Sequence, residues 1–558
     1  MRMSQAADVW WKTAVVYCAD VQTFLDSDGD GHGDLAGMAS RIDYLADLGI
    51  TCLWLMPFYP SAGRDDGYDI TDFYGVDGRY GSHGDFVELV RTAHNRGIRV
   101  IVDFVMNHTS EKHPWFRSAR SSKSSRFRDY YVWRDTTPPD TSSQVVFPGE
   151  EDSIWEFDER TGEYYLHHFY KSQPDLNIGN PEVRDEIAKT MGFWLELGLA
   201  GFRVDAVPFM FTPDKLPDVE HEFAFDPHMY LRHLRSYLSR RVGDGILLGE
   251  VNVPHEEQAK FFGGEQGGEL TMQFDFIGMQ AFYLAMARQD ATPLVEALHA
   301  RPKVDPDSQW ATFLRNHDEL TLDKLSDEER AEVFAAFGPE PEMQLYGRGL
   351  RRRLPPMLGG DQRRIRMAYS LLFSTPGTPV LFYGEEIGMG DNPDLPERLA
   401  VRTPMQWTPD ANGGFSTAPP RKLARPLPEG AYAARYVNVA DQRNDPDSLL
   451  SFMRQLIHRY RQSPELGWSE FHPLEQPHAA VLAHLCRADE WAMVAVHNLG
   501  SEPCTVPLDL SWTEPGTVLV DLLQEGRTEL EEGQVEVKLE GYGYRWLRVS
   551  APGDRRIA

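Results

Sequence analysis

Short apolar runs alternate with longer amphipathic ones from near the start of the chain. A strand that leads into a helix and then into another strand builds a parallel sheet covered by helices, so this rhythm constrains the fold more than any other feature. Ala14 to Tyr17 predicts a first strand, Leu35 to Leu48 a helix, and Cys52 to Met56 a second strand stopped by Pro57. Phe86 to Asn95 predicts a helix ended at Gly97, and Val100 to Val105 a fully buried third strand. After an interruption, Val183 to Leu197 predicts a helix, and strands are predicted at Phe202 to Val204, Gly245 to Leu248, Met272 to Phe276, Trp310 to Leu314 and Val380 to Tyr383. About eight strands of this kind predict an α/β fold, a closed (β/α)8 TIM barrel with its chemistry on the loops at the carboxyl face.

The interruptions define the remaining organisation. Residues 109–180 are rich in Ser, Arg, Tyr, Trp, Asp and Pro and hold no sustained period. That is too long for an ordinary loop and predicts an inserted subdomain after the third strand. A second excursion, 320–360, carries Arg351, Arg352 and Arg353 and predicts a lid-like cover near the barrel mouth. Beyond about residue 473 the texture changes to short alternating runs such as Trp491 to His497 and Tyr542 to Val549. The predicted domains are a catalytic barrel over 1–108 and 181–473, the insert over 109–180, and a C-terminal antiparallel β-sandwich over 474–558, structural by default.

With 558 residues and a net charge of -29, the chain repels nucleic acid and anionic membrane surfaces, so neither is an expected partner. A small neutral ligand fits better, and a homo-oligomer is compatible with the composition. The four cysteines, Cys18, Cys52, Cys486 and Cys504, form no CxxC pair and predict reduced, buried thiols. The first residues lack a basic-then-apolar leader and no run is long and apolar enough to span a bilayer, so a cytoplasmic setting is expected.

Three carboxylates stand at the ends of predicted strands: Asp205 in Gly-Phe-Arg-Val-Asp-Ala-Val, Glu250 in Ile-Leu-Leu-Gly-Glu-Val and Asp318 in Thr-Phe-Leu-Arg-Asn-His-Asp. Each alone reads as a strand-end ion pair. Three together suggest catalysis, because an ionised carboxylate beside an apolar strand is costly unless something uses it. Glycoside chemistry needs two such groups, one to attack or stabilise the anomeric carbon and one to protonate the departing oxygen. Arg203 lies two residues before Asp205 on the same strand face and is expected to hold its pKa low. Burial and the negative charge of Asp205 are expected to raise that of Glu250.

The run Asp26-Ser27-Asp28-Gly29-Asp30-Gly31-His32-Gly33-Asp34 places carboxylates at alternate positions with glycines that allow a tight loop, as a calcium site requires. Asp26, Asp28, Asp30 and Asp34 would supply side-chain oxygens and His32 its carbonyl. Magnesium or a plain solvated turn is the alternative.

Asp103-Phe104-Val105-Met106-Asn107-His108, Gly201 to Val207, Gly249 to Asn252 and Phe313 to Glu319 occur in the order and spacing of the α-amylase family, glycoside hydrolase family 13, which the chain resembles over nearly its whole length. Gly67-Tyr68-Asp69, Gln173-Pro174-Asp175-Leu176-Asn177 and Val401 to Trp407 agree. Within the family the pattern is most similar to the trehalose synthase branch, through Arg315 to Leu322, Gly384 to Asn392 and Val437-Asn438-Val439. The resemblance implies Asp205 as nucleophile, Glu250 as acid and then base, and Asp318 as the carboxylate that distorts the sugar. It implies Tyr68, His108, Arg203 and His317 as substrate-binding groups. It also implies an Asp69–Arg402 pair closing the non-reducing end of a glucose pocket, and a second calcium site at Asn107 and Asp175.

The expected activity is that of a retaining α-glucosyl enzyme on small α-linked disaccharides, isomerising maltose to trehalose through a glucosyl-Asp intermediate. An α-glucosidase or transglucosylase of other specificity is the alternative. It is motivated by Pro208-Phe209-Met210-Phe211-Thr212, where the branch has an acidic ligand, and by a shorter loop before His221. A starch-degrading amylase or a catalytically silent sugar-binding protein are the remaining readings, the last opposed by the intact carboxylate triad.

Overall fold

The computed structural model describes residues 9–212, 215 and 227–554. Eight parallel strands close a barrel in chain order: β1 Val16–Ala19, β2 Cys52–Leu55, β3 Arg99–Phe104, β4 Gly201–Val204, β5 Ile246–Gly249, β6 Met272–Phe274, β7 Gln309–Thr312 and β8 Thr378–Phe382. Val16 pairs with Cys52 on one side and with Val380 on the other, which closes the ring. These strands are covered on both faces, so they read as near-continuous apolar runs rather than alternating ones. Every residue of β1, β2, β4, β5 and β8 is buried.

Three local differences from the sequence expectations have identifiable causes. The first strand starts at Val16, not Ala14, because Trp10–Thr13 forms a 3-10 turn under the barrel, tied by the Thr378 hydroxyl donating to the Trp11 carbonyl. The helix expected over Leu35 to Leu48 is two helices, Leu35–Ser40 and Ile42–Leu48, with a kink at Arg41, whose guanidinium lies 4.4 Å over the Trp407 ring. β6 ends before Asp275, which caps the helix Phe276–Arg288 by accepting from the Gly278 N–H.

The region between β3 and the helix Pro181–Glu196 carries a three-stranded antiparallel sheet of Trp133–Arg134, Glu163–Leu166 and Trp155–Asp158. A second small sheet, Leu320–Thr321, Gly349–Leu350 and Gln344–Leu345, follows β7 together with the helix Asp327–Phe337. At the C-terminal end a six-stranded antiparallel sheet faces the pair Cys504–Asp509 and Gln534–Leu539. Val481, Val494, Val496 and Leu547 from one sheet and Val506, Leu508 and Leu539 from the other share one core, which makes the unit a sandwich. It is seated on the barrel helix Gln362–Ser374 by His484 and His497, which hydrogen-bond the Ser374 carbonyl and Ser370 hydroxyl. Among the described residues no helix is long and apolar enough to cross a membrane.

Candidate active site

The barrel delivers its carboxylates to one end. Asp205 and Glu250 each follow directly on a strand, and their backbone N–H groups still donate to the neighbouring strand, Asp205 to Phe104 (3.2 Å) and Glu250 to Val204 (3.0 Å). Their Cα positions are thus fixed by the sheet. Ala206, in the left-handed conformation (φ 48°), then turns the chain away, and its N–H donates to Glu250 Oε2 at 3.0 Å.

One buried guanidinium joins three acids. Arg203 Nη1 donates to Asp205 Oδ1 (2.5 Å) and Asp103 Oδ1 (2.6 Å), while Nη2 meets Glu250 Oε2 at 3.0 Å. Trp54 Nε1 donates to the other Asp103 oxygen at 2.7 Å. Sharing changes the expected electrostatics. Burial raises the Asp205 pKa to about 6; Arg203 opposes the rise, and Asp103 and Asp318 add to it. The expectation that Arg203 keeps Asp205 low is therefore corrected, because one cation divided among three carboxylates cannot offset the desolvation of each. Burial likewise raises Asp103 to about 6. Glu250 goes up to about 7, by burial against Arg203, with Asp205 and Asp318 reinforcing it. The order, acid above nucleophile, is the one the chemistry requires.

Asp318, in the loop after β7, behaves oppositely. Burial raises it, but the hydrogen bond to His317 and the charges of Arg398 and Arg402 outweigh that and hold it well below the usual carboxylate range. Its Oδ1 accepts from Arg402 Nη2 (2.8 Å) and Arg398 Nη1 (2.9 Å), and its Oδ2 lies 3.1 Å from His317 Nε2. Tyr68 stacks on His317, and its hydroxyl is 2.7 Å from the same Nε2. His108 Nε2 sits 3.3 Å from the Tyr68 carbonyl and 3.2 Å from Gln173 Nε2. Burial lowers both histidines to about 4, so near pH 7 each is a neutral hydrogen-bonding group rather than a charge.

The expected Asp69–Arg402 pair is not formed. Arg402 Nη1 donates to Asp66 Oδ2 at 2.8 Å, and Arg425 pairs with the other Asp66 oxygen. Asp69 is fully buried and accepts from Ser61 Oγ (2.6 Å) and the N–H groups of Arg64 and Asp65 (both 3.2 Å), so it braces the turn that presents Asp66. Asp66 has φ 51°, and this left-handed step, followed by Gly67, aims its side chain at Arg402. Arg398 adds a parallel bridge through Asp65 Oδ1 at 2.6 Å. Sequence reasoning missed Asp66, Arg398 and Asp103 as members of the site. Asp66 and Asp103 are within or next to segments it singled out, and Arg398 stands four positions before Arg402.

The first-loop acids converge in part. Ligand atoms of Asp26, Asp28 and Asp34 lie within 4.8 Å of one another. Asp30 instead accepts from the His32 N–H at 2.7 Å and is not in that group, and the His32 ring lies 3.4 Å from Gln22. Gly31 (φ 105°) is required here, since a Cβ would meet the Lys422 carbonyl oxygen at 2.1 Å. An all-oxygen set of three carboxylates on a tight loop suits a hard cation.

The second predicted metal site is corrected. Lys215, fully buried, places its ammonium 2.5 Å from Asn107 Oδ1, 3.2 Å from the Asn107 carbonyl and 2.8 Å from Asp175 Oδ2. Asp175 also receives His168 Nδ1 at 2.5 Å. A side-chain cation thus takes the place expected for a metal, and these residues do not fit calcium as well. A lone lysine in an irregular stretch carries no pattern that would have announced this. The short segment Pro208 to His221 runs as a 3-10 turn, Val207–Phe211, after which 213, 214 and 216–221 lie outside the described residues.

Comparison with known proteins gives a consistent result. The model for the α-amylase catalytic domain matches residues 20–335 and 351–468, and that for the sucrose hydrolase-like C-terminal domain matches 492–548. A trehalose synthase/amylase of Mycobacterium tuberculosis is 41% identical over 571 residues, 99% of this chain and 94% of the relative. A trehalose synthase of Pimelobacter sp. is 40% identical over 557 residues, 97% of this chain and 96% of the relative. Among solved structures, an α-amylase from H. orenii superposes with a TM-score of 0.78 at 28% identity, covering 97% of this chain and all of that one. A trehalulose synthase from Pseudomonas mesoacidophila superposes at 0.75 and 26%, covering 97% and 99%.

Proposed function

The chain belongs to the α-amylase family, and from that membership we propose a retaining α-glucosyl enzyme that isomerises maltose to trehalose. The observation that carries the choice of a small substrate is the pair of bridges Arg402–Asp66 and Arg398–Asp65 beside Asp318, which we read as closing the site behind the first glucose unit. A site shut behind one glucose unit suits a disaccharide and excludes the interior of a long chain.

Asp205 attacks the anomeric carbon while Glu250 gives its proton to the glycosidic oxygen. The bond to the second glucose breaks and a covalent β-glucosyl ester forms. Asp318, held ionised by its two arginines, hydrogen-bonds ring hydroxyls, an interaction that strengthens as positive charge develops. Esterification removes the negative charge of Asp205, one of the causes that raise Glu250, so the Glu250 pKa falls and its carboxylate, having given up its proton, stays ionised as the base for the return step. The freed glucose turns to present its anomeric hydroxyl, Glu250 takes that proton, and the oxygen displaces Asp205. Water in place of the sugar gives hydrolysis. Purified protein supplied with maltose is expected to accumulate trehalose, and glucose as sole product would overturn the proposal. An α-glucosidase or transglucosylase of other disaccharide specificity is the second reading, favoured by the short segment after β4.

The first-loop cluster is read as a structural calcium site, where Asp26, Asp28 and Asp34 would hold the ion away from the reacting bond. Its chemistry there is to neutralise three carboxylates on one loop. We keep 1–108 with 181–473, 109–180 and 474–558 as the domain division. A cytoplasmic setting is supported by four unpaired cysteines, three of them buried.

A further inference from the structure

Three covers that leave the barrel at different points meet at one carboxylate. Glu397 Oε2 accepts from the Tyr170 hydroxyl (3.0 Å), in the region before β4, and from the Tyr346 hydroxyl (3.2 Å), in the turn between Gln344–Leu345 and Gly349–Leu350. The two hydroxyls are 3.4 Å apart. Phe147 stacks on Tyr170 with ring centroids 4.5 Å apart and meets Tyr346 at 5.1 Å. Tyr346 (φ 55°) and Glu397 (φ 45°) both hold left-handed backbone that bulky residues seldom adopt, so the contacts, not local preference, keep them there.

The residue after Glu397 is Arg398, which lies 4.9 Å over the Phe147 ring and bonds Asp318 and Asp65. The 3-10 strap Glu397–Val401 therefore carries at one end both the tie to the covers and a guanidinium on a catalytic carboxylate. A cavity of about 370 Å³ lies beside the strap, lined by Tyr170, Glu397, Arg398, Asp66 and Arg402. The hydrogen bonds of this cluster run among the covers rather than to Asp205 or Glu250.

We infer that Glu397 is a positioning residue that latches Tyr170 and Tyr346 over the bound sugars and keeps Arg398 on Asp318. It thereby sets the share of glucosyl units rejoined to sugar rather than lost to water, while leaving bond cleavage largely to the triad. The inference rests on the transfer reading proposed above and deepens it.

The cleanest perturbation is the double variant Tyr170→Phe/Tyr346→Phe, which removes both hydroxyls and keeps both rings. On maltose, the share of product released as free glucose is expected to rise roughly five- to tenfold, with total maltose consumption within about twofold of wild type. In hydrogen-exchange mass spectrometry, residues 344–350 and 397–401 are expected to exchange at least about tenfold faster. Glu397→Gln keeps an acceptor oxygen and is expected to fall between the two. Unchanged exchange in the double variant overturns the latch, and faster exchange with an unchanged glucose share overturns its role in partition. Failure of the transfer reading has a different signature: the wild type then gives glucose alone, while the exchange comparison still decides whether Glu397 ties the covers.

Discussion

The unequal titration of Asp205 and Glu250 fixes a narrow pH window for kcat/KM, which reports groups of the free enzyme. Asp205 works ionised, so activity rises with pH through about 6; Glu250 works protonated, so activity is lost above about 7. At pH 6.5 each wrongly protonated form is about 0.3 of the correct one, which leaves about 60% of the protein competent. At pH 8 the form lacking the Glu250 proton outweighs the correct one about tenfold, and at pH 5 the form with protonated Asp205 does so. About 9% is then competent, so kcat/KM for maltose should fall about sevenfold at either limit relative to pH 6.5.

Asp103→Asn sharpens the test. Asp103 is among the charges that raise Asp205, and it draws on Arg203 Nη1, the same nitrogen that binds Asp205. Its removal frees that donor, so the acid limb should move to lower pH, and at pH 5 the variant should keep half or more of its own optimum. Asparagine can still accept from Trp54. Initial rates from pH 4.5 to 8.5 at substrate well below KM measure both limbs. A wild-type acid limb absent down to pH 4.5, or an Asp103→Asn limb displaced toward alkali, would refute the account in which burial outweighs the shared arginine.

Two further outcomes follow from the ion pairs. Asp66→Asn should lower kcat/KM for maltose by about a hundredfold, since it leaves Arg402 short of a buried partner beside Asp318, and should raise relative activity on longer maltooligosaccharides; equal losses on all chain lengths would count against Asp66 as the closing group. Thermal unfolding with and without EDTA separates the cation sites: chelation should lower the wild-type Tm and leave Asp28→Asn unmoved, whereas Lys215→Met should cost about 3–5 kcal/mol with or without chelator, because it strips Asp175 of a buried partner.

The barrel could be read from the chain because its strands are buried on both faces, so each shows as a short apolar run whose length survives a shift of one or two residues. Asp205 and Glu250 could be read for the same reason, as the first acids after such runs. What failed was pairing across sequence distance. Asp66, Asp69 and Asp65 are chemically alike in one short stretch, and only the left-handed step at Asp66 decides which of them faces Arg402. Lys215 lies 108 residues from Asn107, and nothing local says that its ammonium closes the space between Asn107 and Asp175. The direction of the Asp205 shift failed likewise, since the count of acids sharing Arg203 is a property of three strands, not of one motif.

That sharing also explains how the site can favour a cation without holding a strong base. In the site stand Asp65, Asp66, Asp103, Asp205, Glu250 and Asp318, against the guanidinium groups of Arg203, Arg398, Arg402 and Arg425. With Glu250 protonated, the carboxylates still outnumber the arginines. A neutral disaccharide gains little from such a field, whereas an oxocarbenium-like centre between Asp205 and Asp318 gains much, because the surrounding groups are fixed and need not reorganise. The desolvation that raises Asp205 and Glu250 is then the same property that makes the field strong. Relieving it by supplying a second free cation near Arg203 would ionise the nucleophile more fully at low pH and, by the same interaction, weaken stabilisation of the transition state.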